Sequence, residues 1–167
     1  MTLYRRYVLP HLINLAMQDK AATAERAQYV PLAGGRVLEV GAGSALNLPF
    51  YGGDVEQLVA LEPSRELWEL GRKRRGAARF PVEFFPASAE SIPASDNTFD
   101  TAVLTWTLCT IGEAEKALSE IACVLKPTGR LIFVEHGRAP DHNIAAHSGR
   151  LRSGHVLASR LDCKRNQ

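Results

Sequence analysis

With 167 residues, the chain is long enough for one domain with a substantial core and too short for two ordinary ones. Its 20 basic and 18 acidic residues leave a net charge of +2, so bulk electrostatics give no reason to expect nucleic acid as a partner. No stretch approaches the roughly 20 apolar residues of a membrane span, and the N-terminus lacks a secretory apolar region with a cleavage site; stable membrane insertion is not expected and a cytoplasmic location is.

Residues 1–18 carry Leu3, Tyr4, Tyr7, Val8, Leu12, Ile13, Leu15, Ala16 and Met17 at helix-like spacing, interrupted by Pro10. This reads as a helix packed on the domain, or as a lid with Tyr4 and Tyr7 facing a pocket. A second helix is predicted over about 20–29, ending at Pro31 and the Gly34-Gly35 break. The first strand follows. In the run Arg36 to Asn47, Val37, Leu38 and Val40 form a short β-prone segment of the kind buried on both faces of a parallel sheet, a carboxylate ends the strand at Glu39, and Gly41 and Gly43 supply a sharp turn that a ligand can approach closely. Nineteen residues after Gly43, a second apolar run, Leu58 to Leu61, ends in Glu62, an acid placed where such folds grip the hydroxyls of a ribose. A dinucleotide fingerprint needs glycine at the sixth place of the turn, where this chain has Leu46, and Glu39 would repel a pyrophosphate while suiting an ammonium group.

Asn47 to Tyr51 reads as a short helix. Ser64 is the expected N-cap of a helix from Arg65 to about Arg75, closed by Gly76. Val82 to Phe85 is a short strand preceded by Pro81, which suits a sheet edge. After the polar turn Ala94 to Thr98, Phe99-Asp100 opens a fourth strand that runs to about Thr105, and Trp106 to Ile111 form the loop beyond it. Helix 113–125 has Ala117, Leu118, Ile121, Ala122 and Leu125 on one face, and Lys126-Pro127-Thr128-Gly129 ends it ahead of a fifth strand, Leu131 to Glu135.

The acidic-x-Gly-x-Gly turn, the acid Glu90 after the third strand with the polar turn and Phe-Asp that follow it, and the helix, Leu-Lys-Pro-x-Gly, strand unit resemble class I S-adenosylmethionine-dependent methyltransferases of type 11, over roughly residues 36–140. Glu135 to Asp141, with the N-terminal segment, is similar to a small-molecule subgroup related to the methyltransferase-like thiol methyltransferases. The resemblance implies a doubly wound, Rossmann-like α/β parallel sheet of strand order 3-2-1-4-5, with a domain over 1–140 that includes an N-terminal helical cap (1–30). It implies S-adenosylmethionine as cofactor, held by Glu39, Gly41, Ala42, Gly43 and Asn47 at the methionine end, by Glu62 and Pro63 at the ribose, and by Ala89 and Glu90 at the adenine, with Thr105 at the end of the fourth strand. Ala45 departs from the pattern, where many members carry a third glycine. His136, just past the fifth strand, stands where a general base for a hydroxyl, amine or thiol acceptor could stand, or is a structural histidine bonded to backbone. Trp106 and Tyr51 either wall the pocket or fill core.

The closing strands of such relatives are not evident. The tail 141–167 is basic, net +4 from His147 to Gln167, and reads as one or two short helices, leaving the fifth strand as an open edge to be covered by the tail or by a second chain in a homodimer. Cys109, Cys123 and Cys163 suggest neither a disulfide framework nor a zinc site, and Cys109 reads as a small packed residue rather than a nucleophile. The expected activity is methyl transfer to a small, apolar acceptor such as a thiol, phenol, quinone or amine. A cofactor-binding protein without catalysis and a nicotinamide-dependent oxidoreductase are the rival readings.

Overall fold

A computed structural model describes Tyr4, residues 7–135, the backbone of 153–157, and residues 161–164. Two helices lead in: α1 (Leu9–Ala16), with Pro10 in its first turn, and α2 (Lys20–Tyr29), where Asp19 caps the start by accepting from Ala21 N (2.8 Å) and Ala22 N (3.0 Å). The strands are β1 (Gly35–Val40), β2 (Val55–Leu61), β3 (Val82–Phe85), β4 (Phe99–Thr105), β5 (Leu125–Val134) and β6 (Ser153–Leu157). Between them lie α3 (Arg65–Leu70), α4 (Arg72–Gly76) and α5 (Ala114–Val124).

The sheet order is β3-β2-β1-β4-β5-β6; the first five strands are parallel and β6 is antiparallel to β5. The order 3-2-1-4-5 and the edge position of β3 agree with expectation. Side chains alternate between two cores. On one face Leu38, Val40, Val59, Leu61, Ala102, Leu104, Leu131 and Phe133 meet Ala117, Ile121 and Val124 of α5. On the other, Val37, Leu58, Ala60, Val103 and Ile132 meet Val30, Ala33, Tyr51 and Trp68.

Three expectations change. The fifth-strand edge is covered by the tail, the first of the two covers expected, but as a strand rather than a helix: β6 pairs Arg130 to Val134 with Leu157 to Ser153. The cysteine reading also changes, because Cys123 at the end of α5 is bonded to Cys163 in the tail. Their separation of 40 residues hid the pairing, since only the fold brings the two together. Leu161 packs against the α5 core and Lys164 N donates to Ser119 Oγ (2.8 Å), which fixes the tail beside the cystine. Finally, the expected helix 65–75 breaks at Gly71, where a Cβ would lie 2.5 Å from the Ser44 carbonyl oxygen; the backbone passes too close to the glycine turn for any other residue.

Candidate cofactor site

The turn after β1 is left-handed at Gly41 (φ 69°) and Gly43 (φ 52°). At Gly41 a Cβ would sit 2.3 Å from the Thr107 side chain, so that position is closed to every other residue; at Gly43 the nearest atom would be Leu67 Cδ2 at 3.6 Å, and it is the backbone angle that favours glycine. Gly41 N and Ala42 N donate to the Leu61 carbonyl at 2.8 and 3.1 Å, and Gly43 N donates to Glu62 Oε2 at 3.0 Å. The other carboxylate oxygen of Glu62 accepts from Ser64 N at 2.8 Å, at the start of α3. Glu62 is therefore held at both oxygens between the turn and the helix. Burial pushes its carboxyl above the ordinary range, while the bonds from Ser64 N and Gly43 N oppose that rise.

Beneath the turn sits a polar cluster. Glu39, 2% exposed, accepts from Asn47 Nδ2 (2.8 Å) and from the Tyr51 hydroxyl (3.1 Å). Asn47 Nδ2 also donates to Thr105 Oγ1 (3.0 Å), and Asn47 Oδ1 accepts from Arg26 Nε (3.0 Å). Burial raises the Glu39 carboxyl to about 7; the bonds from Tyr51 and Asn47 and the charge of Arg26 pull it down, and Glu62 adds to the rise. The Tyr51 phenol is pushed well above its ordinary value, first by burial and then by the Glu39 charge. A buried acid with mostly neutral donors around it is an unfinished ion pair, and a cation brought to it completes the pair.

A family model described as a methyltransferase domain matches residues 38–133, more than half of the chain and the whole run from the turn to β5. The chain belongs to the class I S-adenosylmethionine-dependent methyltransferases. It is 34% identical over 129 residues to a demethylmenaquinone methyltransferase of Clavibacter sepedonicus, a match that covers 77% of this chain and 52% of that protein. It is 35% identical over 137 residues to a phosphatidylethanolamine N-methyltransferase of Cereibacter sphaeroides, covering 80% and 66%. The solved structure of the [4+2]-cyclase SpnF shares 31% identity with a TM-score of 0.58, over 69% of this chain and 44% of that one. The chain spans about half the length of the demethylmenaquinone methyltransferases it matches. Family membership sets aside the nicotinamide reading.

The residues fit the family's cofactor. Glu39 is a buried acid of the charge an ammonium group would need, Gly41 and Gly43 leave the turn with little side-chain bulk, and Glu62 is a fixed acceptor at the end of β2. Among the expected methyltransferase residues, the structure brings Glu39, Asn47 and Thr105 into one bonded cluster and Glu62 into contact with Gly43. Ala42 is buried in the turn and Pro63 is exposed beside Glu62. Ala89 is buried. Glu90 lies next to it with one oxygen accepting from Ser88 Oγ (2.6 Å) and the other from Glu113 N (2.9 Å), so it ties the loop after β3 to the start of α5. The Ser88 bond, followed by the Glu113 N bond, lowers its carboxyl below the ordinary value. His136 lies outside the described residues.

Tyr51, left open between wall and core, binds Glu39 directly. Tyr7 lines a groove with Pro10, His11, Arg65, Glu66 and Glu69 between α1 and α3, a different neighbourhood from the Glu39 cluster. Cys109 is exposed rather than packed. Two residues were not anticipated. Arg26 gives no sequence signal beyond being a charge in an alanine-rich helix. Glu135 ends β5 as Glu62 ends β2, and the same signal would have found it: its Oε1 accepts from Thr107 N and Leu108 N, both at 2.8 Å, and so holds the loop after β4.

Proposed function

We propose that this chain binds S-adenosylmethionine at the Gly41–Gly43 turn and transfers its methyl group to a small apolar acceptor. The observation that carries the reading is Glu39, an acid buried to 2% exposure near the end of β1, two residues before the left-handed Gly41; in this reading it receives the cofactor's ammonium group. Bound there, the cofactor supplies an electrophilic methyl group on its sulfonium, so the protein's task is position and exclusion of water. In this reading Glu62 accepts from the ribose hydroxyls, Asn47 and Thr105 hold Glu39 in place, and the Ala89 to Glu90 segment meets the adenine. His136 takes the acceptor's proton where the acceptor is a thiol, phenol or amine.

An apolar acceptor is supported by the N-terminal helix. Leu12, Ile13 and Leu15 of α1 stay exposed, Leu15 at 70%, and the Met17 carbonyl at the end of that helix accepts from Arg26 Nη1 (2.8 Å) of the Glu39 cluster. Exposed apolar side chains on a helix tied to the Glu39 cluster through Arg26 suit a hydrophobic acceptor. The two relatives named above are a demethylmenaquinone methyltransferase and a phosphatidylethanolamine N-methyltransferase, whose acceptors carry long hydrocarbon chains. A second reading is chemistry other than methyl transfer on the same cofactor fold, favoured by the likeness to a solved [4+2]-cyclase.

The test is calorimetric titration with S-adenosylhomocysteine, with NADH as control, followed by methyl transfer to a panel of quinol, thiol, phenol and amine acceptors. Saturable binding to S-adenosylhomocysteine alone, with turnover of one acceptor class, is expected. Binding with no turnover of any acceptor would favour the second reading. Loss of turnover with intact cofactor binding in His136→Ala would place the proton transfer at that residue.

A further inference from the structure

Arg26 comes from α2, which precedes the 38–133 span matched by the family model, and it is 4% exposed. Taking a guanidinium out of water is costly unless its donors and charge are used, and burial lowers its affinity for its proton while Glu39 and Asp19 oppose that and Arg74 adds to it. The structure uses it in three directions. Nε donates to Asn47 Oδ1 (3.0 Å), Nη1 donates to the Met17 carbonyl (2.8 Å), and the guanidinium carbon lies 4.7 Å from the Trp106 ring centroid, a cation–π stack. Trp106 itself is held at φ 50°, an uncommon conformation for a bulky residue at the end of β4.

The bond to Asn47 has a directional consequence. With a guanidinium on Oδ1, the amide can present only its NH2 to Glu39 Oε1 (2.8 Å) and Thr105 Oγ1 (3.0 Å); a flipped amide would aim that NH2 at a cation. Arg26 thus settles which way Asn47 points, and Asn47 settles where Glu39 is held. The same side chain closes the turn between α1 and α2 through Met17. Removing Arg26 would leave Asn47 free to turn and the Met17 carbonyl without its donor.

We propose that Arg26 is a positioning residue that couples docking of the two N-terminal helices to occupancy of the cofactor's amino-acid end. The coupling rests on the reading above, in which Glu39 receives the ammonium group. An ammonium group on Glu39 fixes the carboxylate to which Asn47 Nδ2 donates, Asn47 Oδ1 in turn accepts from Arg26, and Arg26 holds both helices. Because coupling between binding events is reciprocal, whatever the cofactor adds to helix docking, helix docking adds to cofactor affinity. Charge reaches Glu39 from Arg26 on α2, from Glu62 on the end of β2 and, through a hydrogen bond, from the Tyr51 phenol after the turn.

Hydrogen–deuterium exchange of the full chain, with and without saturating S-adenosylhomocysteine, tests this on wild type, Arg26→Met and Arg26→Lys. In wild type, the ligand is expected to slow exchange at Gly41 to Asn47 and, about five- to tenfold, across residues 9–29, at the lower end of ordinary coupling strengths. In Arg26→Met, affinity falls by about the same five- to tenfold, and at saturation the turn is still protected while residues 9–29 no longer respond. Arg26→Lys keeps the charge without the fork or the stack and recovers only part of the response; it also serves if the methionine variant does not fold. Wild-type affinity in Arg26→Met, or ligand protection of 9–29 equal to wild type, would overturn the coupling. Unchanged binding in Glu39→Gln would instead remove the Glu39 reading on which it rests.

Discussion

The two ends of the sheet use carboxylates in opposite ways. At the amino ends of the strands, Asp100 of β4 accepts from Arg36 N of β1 (3.0 Å) and pairs with Lys126 of β5 (2.7 Å), while Thr101 Oγ1 donates to the Gly34 carbonyl (2.9 Å). Burial pushes the Asp100 carboxyl up, but the bonds from Lys126 and Arg36 N outweigh it and the net shift is downward. At the carboxyl ends, Glu39 and Glu62 are buried against neutral donors and shift upward. Each downward-shifted acid has its partners within the fold; each upward-shifted one is short of positive charge. Asp100 thus ties strands together, whereas Glu39 and Glu62 carry a burial cost that the fold's own hydrogen bonds only partly offset.

The largest effect expected at the amino-end side belongs to the Cys123–Cys163 bond. For a 40-residue separation, loop-closure entropy puts its contribution at about 4 kcal/mol. Reduction with dithiothreitol should lower stability in urea by that order and leave S-adenosylhomocysteine affinity of the folded protein within about twofold. A loss under about 1 kcal/mol would mean that β5–β6 pairing and the Leu161 contact hold the tail unaided.

Glu39→Gln should show the opposite pattern, losing function and gaining stability. Folding raises this carboxyl from 4.5 to about 7, so its contribution to stability is full below pH 4.5 and is lost as pH rises through about 7. At pH 8 the glutamine variant should therefore be more stable than wild type by about 2–3 kcal/mol, with little difference at pH 4.5, while ligand affinity falls by two orders of magnitude or more. In wild type, affinity for S-adenosylhomocysteine should rise with pH through about 7 as Glu39 ionises. Calorimetry at pH 6 and 8, alongside melts of both proteins, measures all three; a flat affinity profile would detach Glu39 from the ligand.

Glu62→Ala is expected to weaken binding by about 1.5–3 kcal/mol, roughly ten- to a hundredfold, the scale for hydrogen bonds to a charged group. Unchanged affinity in a folded variant would take Glu62 out of the site. Asp100→Asn should touch stability alone. The Lys126 and Asp100 side chains are 42% and 40% exposed, so solvent screens the pair and the loss should stay under about 1 kcal/mol, with affinity unchanged. A drop in affinity in that variant would erase the division between the two ends.

The sheet and its glycine turn were legible because both depend on neighbours in sequence. Short apolar runs separated by turn residues place the strands, and an acid ending such a run marks the carboxyl end of the sheet, which is how Glu62 could be found. Tertiary placement was not legible. Arg26 reaches Asn47 across 21 residues and Cys123 reaches Cys163 across 40, so nothing local to either marks its partner. β6 was missed because a five-residue strand of Ser153, Gly154, His155, Val156 and Leu157 is weak in β-forming residues; it is a strand because β5 offers it an edge. Gly71 looked like helix interior, and only the fold shows the approach to Ser44 that requires a glycine there.

The smallest effect, and the finest probe of the carboxyl end, is at Ala45. Where many relatives carry glycine, this alanine adopts φ 60°, and it is fully buried with its Cβ 2.9 Å from where a Cβ on Gly71 would lie. The left-handed backbone costs a non-glycine residue about 1–2 kcal/mol. Against that, Ala45→Gly would lose a buried methyl worth about 0.8 kcal/mol and add about 0.4–1 kcal/mol of unfolded-chain entropy. The terms nearly cancel, which explains how the turn tolerates alanine. Chemical denaturation should place Ala45→Gly within about 0.5 kcal/mol of wild type, whereas a β-branched valine, crowding Gly71 at the same φ, should cost more than about 2 kcal/mol. A gain above about 1.5 kcal/mol in the glycine variant would show instead that the methyl packs poorly on Gly71 and that the turn carries its backbone strain uncompensated.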